Sequence, residues 1–197
     1  MRTGVVGGTF DPPHLAHLVL AAAARRALAL DRVMFVVAAD PWLKAERAVS
    51  PAVTRLRMLR GAIAPLVWAE ASTVELERSG PSYASDTMTA LAQGGGEWWF
   101  VLGADALADL PRWHEPQRLL AVARLAVAQR PDAALALGEL ARAVPGVEAR
   151  LDPVTMPSLW VSSTELRARA RAGRSLDVLV SQTVQAVIAE LGLYGGG

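Results

Sequence analysis

The segment Gly7-Gly8-Thr9-Phe10-Asp11-Pro12-Pro13-His14-Leu15-Ala16-His17 concentrates the chemistry of this chain. Its glycines let backbone amides come close to an anion, and the apolar run from Leu15 promises a helix whose start offers unpaired N–H groups and a positive dipole end. Phosphate is the ligand such a turn suits. Two of the three histidines, His14 and His17, stand here three residues apart, so both imidazoles share one helix face and can address one ligand. A zinc site would want three or four ligands, and only His114 and carboxylates remain to supply them, so no metal-ligating residue is assigned.

A second constellation, Val161-Ser162-Ser163-Thr164-Glu165-Leu166-Arg167, brings hydroxyls to another helix start. Ser162 and Glu165 have the spacing of a capping box, which alone accounts for the serine. Arg167 stands one turn in, and hydroxyls, first-turn N–H groups and a guanidinium together make an anion site suited to a polyphosphate tail. Both readings of Ser162 stand at this point. Arg171 and Arg174 continue the Arg167 face as a solvated surface. Neither a Gly-x-x-x-x-Gly-Lys phosphate loop nor a Gly-x-Gly-x-x-Gly fingerprint occurs, so ordinary NTPases and dinucleotide dehydrogenases lose their main warrant.

These groups must be held by a folded core, and the composition provides one. Of 197 residues 52% are hydrophobic and 20% charged, the opposite of a disordered chain, and the length suits one domain over 1–197. Twenty basic against nineteen acidic residues leave a charge of +1, without the one-signed field of a nucleic-acid or membrane-surface binder. With no cysteine, any catalysis must use oxygen and nitrogen groups. The N-terminus lacks the pattern of a secretory signal, and the most apolar stretch, Leu15 to Leu30, is interrupted by His17, Arg25 and Arg26. A cytoplasmic enzyme without membrane or nucleic-acid partners is expected, with self-association into a homo-oligomer left open.

Short apolar runs at Thr3–Val6, Arg32–Ala38, Leu66–Glu70, Trp98–Leu102 and Arg124–Ala128 read as buried parallel strands. Helical segments are expected at Leu15–Ala29, Ala52–Ala64, Ala84–Gln93, Gln117–Ala123 and Leu135–Ala143, with Thr164–Ala172 and Thr183–Leu191 closing the chain. This alternation predicts an α/β doubly wound, mostly parallel sheet with helices on both faces. Ligands of such sheets bind beyond the carboxyl ends of the strands, so the loops 7–14, 39–47, 71–83, 103–114 and 129–132 are the ones to search. Trp68, Trp98, Trp99 and Trp160 read as core or edge packing.

With the glycine loop and His14-Leu15-Ala16-His17, the chain resembles the nucleotidylyltransferase superfamily, marked by a His-x-Gly-His pair; Ala16 stands where glycine is usual. The superfamily's Ser-Ser/Thr-x-x-x-Arg segment is matched at Ser162–Arg167. Pro41-Trp42-Leu43-Lys44, Gly80–Thr87, Gly103-Ala104-Asp105 through Trp113, and Leu191-Gly192-Leu193-Tyr194 resemble one family within it, the nicotinate-nucleotide adenylyltransferases. That resemblance implies a Rossmann-like fold with C-terminal helices. It also implies adenylyl transfer from ATP to nicotinic acid mononucleotide, a step of NAD biosynthesis, with Mg²⁺ carried by the ATP phosphates.

Under it Gly8, Thr9, Phe10, Gly103, Asp105, Ser162, Ser163 and Thr164 bind ATP together with the catalytic residues His14, His17 and Arg167. Asp11 is at most an outer-shell partner of the metal. Lys44, Ser82, Tyr83, Thr87 and Trp113 hold the mononucleotide, Trp113 by stacking on its ring. Each residue also has its own reading. Lys44 is the single lysine of the chain, Asp105 can cap a helix or accept ribose hydroxyls, and the helix start between Tyr83 and Thr87 can offer amides to a carboxylate. Members usually carry threonine where Ala84 stands, so carboxylate recognition must rest on backbone groups. The alternatives are adenylyl transfer to nicotinamide mononucleotide or phosphopantetheine, or a nucleotide sensor without turnover.

Overall fold

In the computed structural model residues 1–40, 49–129 and 137–195 are described. The strands are β1 (Arg2–Gly8), β2 (Arg32–Val37), β3 (Ala69–Ser72), β4 (Glu97–Gly103), β5 (Arg124–Gln129) and β6 (Leu151–Thr155). The helices are α1 (Leu15–Ala27), α2 (Ala52–Ile63), α3 (Ala84–Ala92), α4 (Ala104–Ala108), α5 (Pro116–Val122), α6 (Leu137–Ala143), α7 (Ser163–Arg171) and α8 (Gln182–Glu190). The sheet runs β3-β2-β1-β4-β5-β6 with every neighbouring pair parallel.

Both faces of the sheet are covered, and the strands show it residue by residue. Val5, Phe100, Leu102, Leu125 and Val127 pack with Met88 of α3, Leu119 and Leu120 of α5 and Leu140 of α6. Their sequence neighbours Val6, Trp99, Val101 and Ala126 pack on the other face with Ala21 and Ala24 of α1 and Leu56, Leu59 and Ile63 of α2. This period of two on strands buried on both sides is why they read as continuous apolar runs. Outside α2, a further layer joins Met58 and Ala62 to Leu166 of α7 and Val184, Val187 and Ile188 of α8, which places the C-terminal helices as expected.

Two strands depart from the sequence reading. The apolar pair Leu66-Val67 forms a turn, closed by Leu66 N–H to Ile63 O and Ala69 N–H to Leu66 O, so β3 starts at Ala69 and Val67 is fully exposed. β6 was not expected, because Asp152 and Pro153 break its apolar character. It lies at the sheet edge, where proline, lacking the ladder donor, is tolerated. α4 was also missed, being only five residues long. No helix among the described residues is long and apolar enough to cross a membrane.

The strand order positions the site. From β1 the chain builds outward through β2 and β3, then returns to pair β4 on the other side of β1. The loops leaving β1 and β4 therefore diverge and open a crevice at the strands' carboxyl ends, where such sheets bind ligands.

Asp152 secures the edge strand. Its carboxylate accepts from Arg124 Nε (2.6 Å) and Nη2 (2.9 Å) and from Trp99 Nε1 (2.8 Å), and the Arg124 hydrogen bonds above all hold it below the usual carboxylate range. Asp152→Ala strands an indole N–H and a two-pronged guanidinium, and is expected to cost about 1–2 kcal/mol in urea unfolding, allowing for solvent screening.

Candidate active site

The loop after β1 is built around a buried aromatic ring. Phe10 is 1% exposed, tilts against Phe35 and meets His17 edge-on at 4.9 Å between centroids. To place the ring there its backbone adopts φ +52°, a left-handed conformation that costs a non-glycine residue energy. Gly8 makes room for it: a Cβ at that position would lie 3.0 Å from the Phe10 ring. The Phe10 side chain thus belongs to the core, where its ring meets His17.

His14 caps α1 rather than lying within it. Its ring stacks on His17 with centroids 3.7 Å apart and 28° between planes. His17 Nδ1 accepts the His14 backbone N–H at 3.1 Å, so the proton of the neutral His17 ring resides on Nε2. His14 is 7% exposed, its Nδ1 is buried without a partner, and burial pushes its pKa down to about 4. At neutral pH it is a neutral imidazole.

Asp11 joins this loop to the rest of the molecule. It is 3% exposed; its carboxylate accepts the Tyr194 hydroxyl on Oδ1 (2.6 Å) and the Ser50 N–H on Oδ2 (3.2 Å). Its main-chain carbonyl accepts a short hydrogen bond from Arg167 Nη1. Arg167, 6% exposed, also donates to Thr164 Oγ1 (3.3 Å), while Ser163 Oγ donates to Pro12 O (2.9 Å). The start of α7 is thereby fastened to the histidine loop across 151 residues of sequence. Ser162 is the cap of α7, accepting the Glu165 N–H at 3.2 Å, and it also lines the cleft.

Arg55 closes the arrangement from the other side. Only 2% exposed, it donates from Nε to Ser50 O and from Nη1 to Thr9 O and Ala38 O, each at 2.8 Å, tying the loops after β1 and β2 together. Burial lowers its pKa, and the nearby Asp11 charge opposes that shift.

Three cavities meet at these loops. A cleft of about 490 Å³ runs from Gly7–Asp11, His14 and His17 to Ser162–Thr164 and Arg167, with Gly103 and Asp105 on its wall. A cavity of about 510 Å³ shares His17, Gly103 and Asp105 with it and extends along Ala16, Leu20 and Met156–Trp160. On the opposite side of Gly7-Gly8-Thr9 lies a more apolar cavity of about 190 Å³, walled by Val36, Phe100, Ala84 and Trp113 with Glu75, Ser82, Tyr83, Thr87 and His114.

In this last cavity the side chains are largely engaged with one another. The Thr87 hydroxyl donates to Glu75 Oε1 at 2.5 Å, and Ser82 Oγ accepts the Asp40 N–H at 3.1 Å. Tyr83 stacks on His114 at 4.1 Å, and Trp113 stands edge-on to Phe100 at 5.6 Å. α3 begins at Ala84, so its first-turn amides have no intrahelical acceptors, and Ala84 itself lines the cavity.

The structure thus brings Gly8, Thr9, Phe10, His14, His17, Gly103, Asp105, Ser162, Ser163, Thr164 and Arg167 to one cleft, and Ser82, Tyr83, Thr87 and Trp113 to one adjoining cavity. Lys44 lies outside the described residues. Trp160 is not packed in the core or at an edge; it is 83% exposed on the wall of the third cavity. Arg55, Glu75 and His114 were not foreseen. Arg55 had a signal, as the charged member of the apolar face it shares with Leu59, Ala62 and Ile63.

Comparison with known proteins agrees with this geometry. The cytidylyltransferase-like family model matches residues 5–169, and the chain belongs to that family of nucleotidyltransferases. Within it, the chain is one of the nicotinate-nucleotide adenylyltransferases. A probable nicotinate-nucleotide adenylyltransferase of Roseiflexus sp. (strain RS-1) is 44% identical over 97% of this chain and 96% of that protein. One from Bordetella pertussis (strain Tohama I) is 40% identical over 98% of each. The fold is shared with the Plasmodium falciparum nicotinic acid mononucleotide adenylyltransferase complexed with NaAD, at TM-score 0.78 and 17% identity over 98% of this chain and 96% of that one.

The burial of His14 has a consequence for acid stability. Its folded pKa of about 4 lies below the ordinary 6.5, so between those values the unfolded chain binds more protons and stability falls as the pH falls. Through this residue the loss from pH 7 to pH 4 amounts to roughly 3 kcal/mol. His14→Gln, which cannot titrate, is expected to lose correspondingly less than the parent between urea titrations at pH 7 and pH 4.

Proposed function

We propose that the protein transfers the adenylyl group of ATP to nicotinic acid mononucleotide, forming nicotinate adenine dinucleotide and pyrophosphate in NAD biosynthesis. One observation carries the reading: Gly7-Gly8-Thr9 is a wall common to the polar cleft and to the aromatic cavity. Two phosphorylated ligands seated on either side meet over this turn, beside the histidine pair.

The acceptor phosphate oxygen attacks the α-phosphorus in line, the bond from that phosphorus to the bridging oxygen breaks, and pyrophosphate leaves with the electron pair. Such transfers are accelerated by positioning and by hydrogen bonds that follow the moving charge. His14 and His17 face the α-phosphate, with His17 Nε2 as a donor fixed by the bond at its Nδ1. Ser163, Thr164, Arg167 and the start of α7 hold the leaving pyrophosphate, and Ser162 caps that helix. Gly8, Thr9 and Phe10 contribute main-chain groups. Asp105 and Gly103, shared by the cleft and the third cavity, suit the ribose, with the purine beyond them.

Mg²⁺ enters as part of the nucleotide: among the described residues no group of three His, Cys, Asp or Glu could hold it, and both Asp11 carboxylate oxygens are already accepting hydrogen bonds. When bound it neutralises phosphate charge. This reading is of one domain in the cytoplasm, with no nucleic acid or membrane as partner.

For the acceptor, Trp113 and Tyr83 provide aromatic surface for the pyridine ring, and the α3 amides suit its carboxylate; Ser82 and Thr87 buttress that helix start, the Thr87 hydroxyl being committed to Glu75. A specific observation favours a second reading. Glu75 Oε2 and Trp113 Nε1 are buried without partners on this cavity, and an acceptor with a donor is what a carboxamide would match. Pyrophosphate release measured with ATP and each mononucleotide separates the two. The acid is expected to exceed its amide by at least about tenfold in kcat/KM, as charge-assisted hydrogen bonds to a carboxylate are the stronger. Equal or inverted efficiencies assign the cavity to nicotinamide mononucleotide, and no release with either leaves a sensor.

A further inference from the structure

Arg167 and Tyr194 come from the C-terminal elements and grip the same residue near the other end of the chain. Arg167 donates to the main-chain carbonyl of Asp11, and Tyr194 donates to its carboxylate at 2.6 Å across 183 residues of sequence. Asp11 is almost wholly buried, and its other carboxylate oxygen accepts the Ser50 N–H. Arg55 is close enough to feel the Asp11 charge, and its guanidinium reaches Thr9 O on the same loop.

The phenol is itself firmly placed. Tyr194 follows α8 in a turn with φ +63°, its ring packs against the α2, α7 and α8 layer, and α8 is pinned to α2 by Arg57 on Glu190 at 2.6 Å. Burial, then the hydrogen bond to Asp11, raises the phenol's pKa, so it stays a donor through the working range of pH. Removing the phenol hydroxyl leaves Asp11 Oδ1 short of a donor where water does not replace it, and the same residue's main-chain carbonyl holds Arg167, so relaxation of Asp11 is felt at that guanidinium.

We propose that Tyr194 is a positioning residue for adenylyl transfer: through Asp11 it sets the place of the Arg167 guanidinium at the pyrophosphate end of the cleft. The inference rests on the assignment of Arg167 to the leaving group. Tyr194 touches no reacting atom, and its contribution is realised as charge moves onto pyrophosphate, so it belongs in kcat rather than in the binding of the mononucleotide.

The test is a double-mutant cycle read in turnover. In the parent chain Tyr194→Phe, which keeps the ring and its packing, is expected to lower kcat about tenfold, with KM for nicotinic acid mononucleotide changed less than twofold and the melting temperature nearly unchanged. In an Arg167→Ala background, assayed at high enzyme concentration, the same substitution is expected to cost less than about twofold, because the group it positions is gone. Arg167→Lys, which keeps the charge without the fork, serves as a second background should the alanine variant not fold. Parent turnover with an unchanged kcat in Tyr194→Phe overturns the proposal and leaves the assigned reaction standing. So does an equal loss in both backgrounds, which is the mark of a general structural effect. A parent chain that releases no pyrophosphate overturns the assigned reaction and this inference with it.

Discussion

Asp11 is a carboxylate almost entirely withdrawn from water, and a buried charge is costly unless its oxygens are satisfied. Here Tyr194 and Ser50 supply hydrogen bonds and Arg55 supplies an opposing charge. Those partners come from the turn after α8 and from the start of α2 with the segment just before it, so satisfying one carboxylate draws two distant parts of the chain to the loop after β1. The Asp11 carbonyl then orients Arg167, and Ser163 bonds to the next carbonyl, Pro12. The same bonds that satisfy a buried acid thus also fasten the walls of the polar cleft. Walls joined in this way are the kind of preorganisation that adenylyl transfer between phosphates requires.

The sheet adds the second constraint. Because the strand order reverses at β1, the loop after it stands alone between two openings, one toward β4 and α7, the other toward β2 and α3. Gly7 and Gly8 keep this partition thin: a Cβ at Gly7 would lie 3.2 Å from Phe100 and one at Gly8 would lie 3.0 Å from Phe10. A thin wall between an apolar, aromatic cavity and a donor-lined cleft suits two different phosphorylated molecules reacting directly. It offers no cysteine, and neither stacked histidine needs to act as a nucleophile.

Much of this was legible in the chain. Continuous apolar runs at β1, β2, β4 and β5 and the glycine–histidine turn follow from local composition, and local composition is what a sequence displays. β6 escaped because its residues serve an edge: Pro153 needs no ladder donor there, and Asp152 is turned to Arg124 and Trp99. Arg55 and Glu75 escaped because a buried ion is defined by partners far along the chain. Arg55 finds Thr9 and Glu75 finds Thr87; the apolar face of α2 hints that Arg55 is buried, but neither local segment names the partner. Trp160 misled in the opposite sense, since an indole in an apolar segment reads as core, yet it stands in solvent at a cavity wall. The two histidines were correctly grouped, but their inequivalence, one buried as a neutral cap and the other aligned by it, needed the fold.

The central claim is that acceptor and ATP meet across the Gly7–Thr9 wall and react in a single displacement, with no enzyme-bound intermediate. The stereochemical course at phosphorus tests it most directly. With ATP carrying a single sulfur of defined configuration on its α-phosphate, in-line attack by the mononucleotide inverts that centre. The account predicts a dinucleotide of inverted configuration at the former α-phosphorus. Net retention would require two displacements through a covalent adenylyl-enzyme and would contradict it.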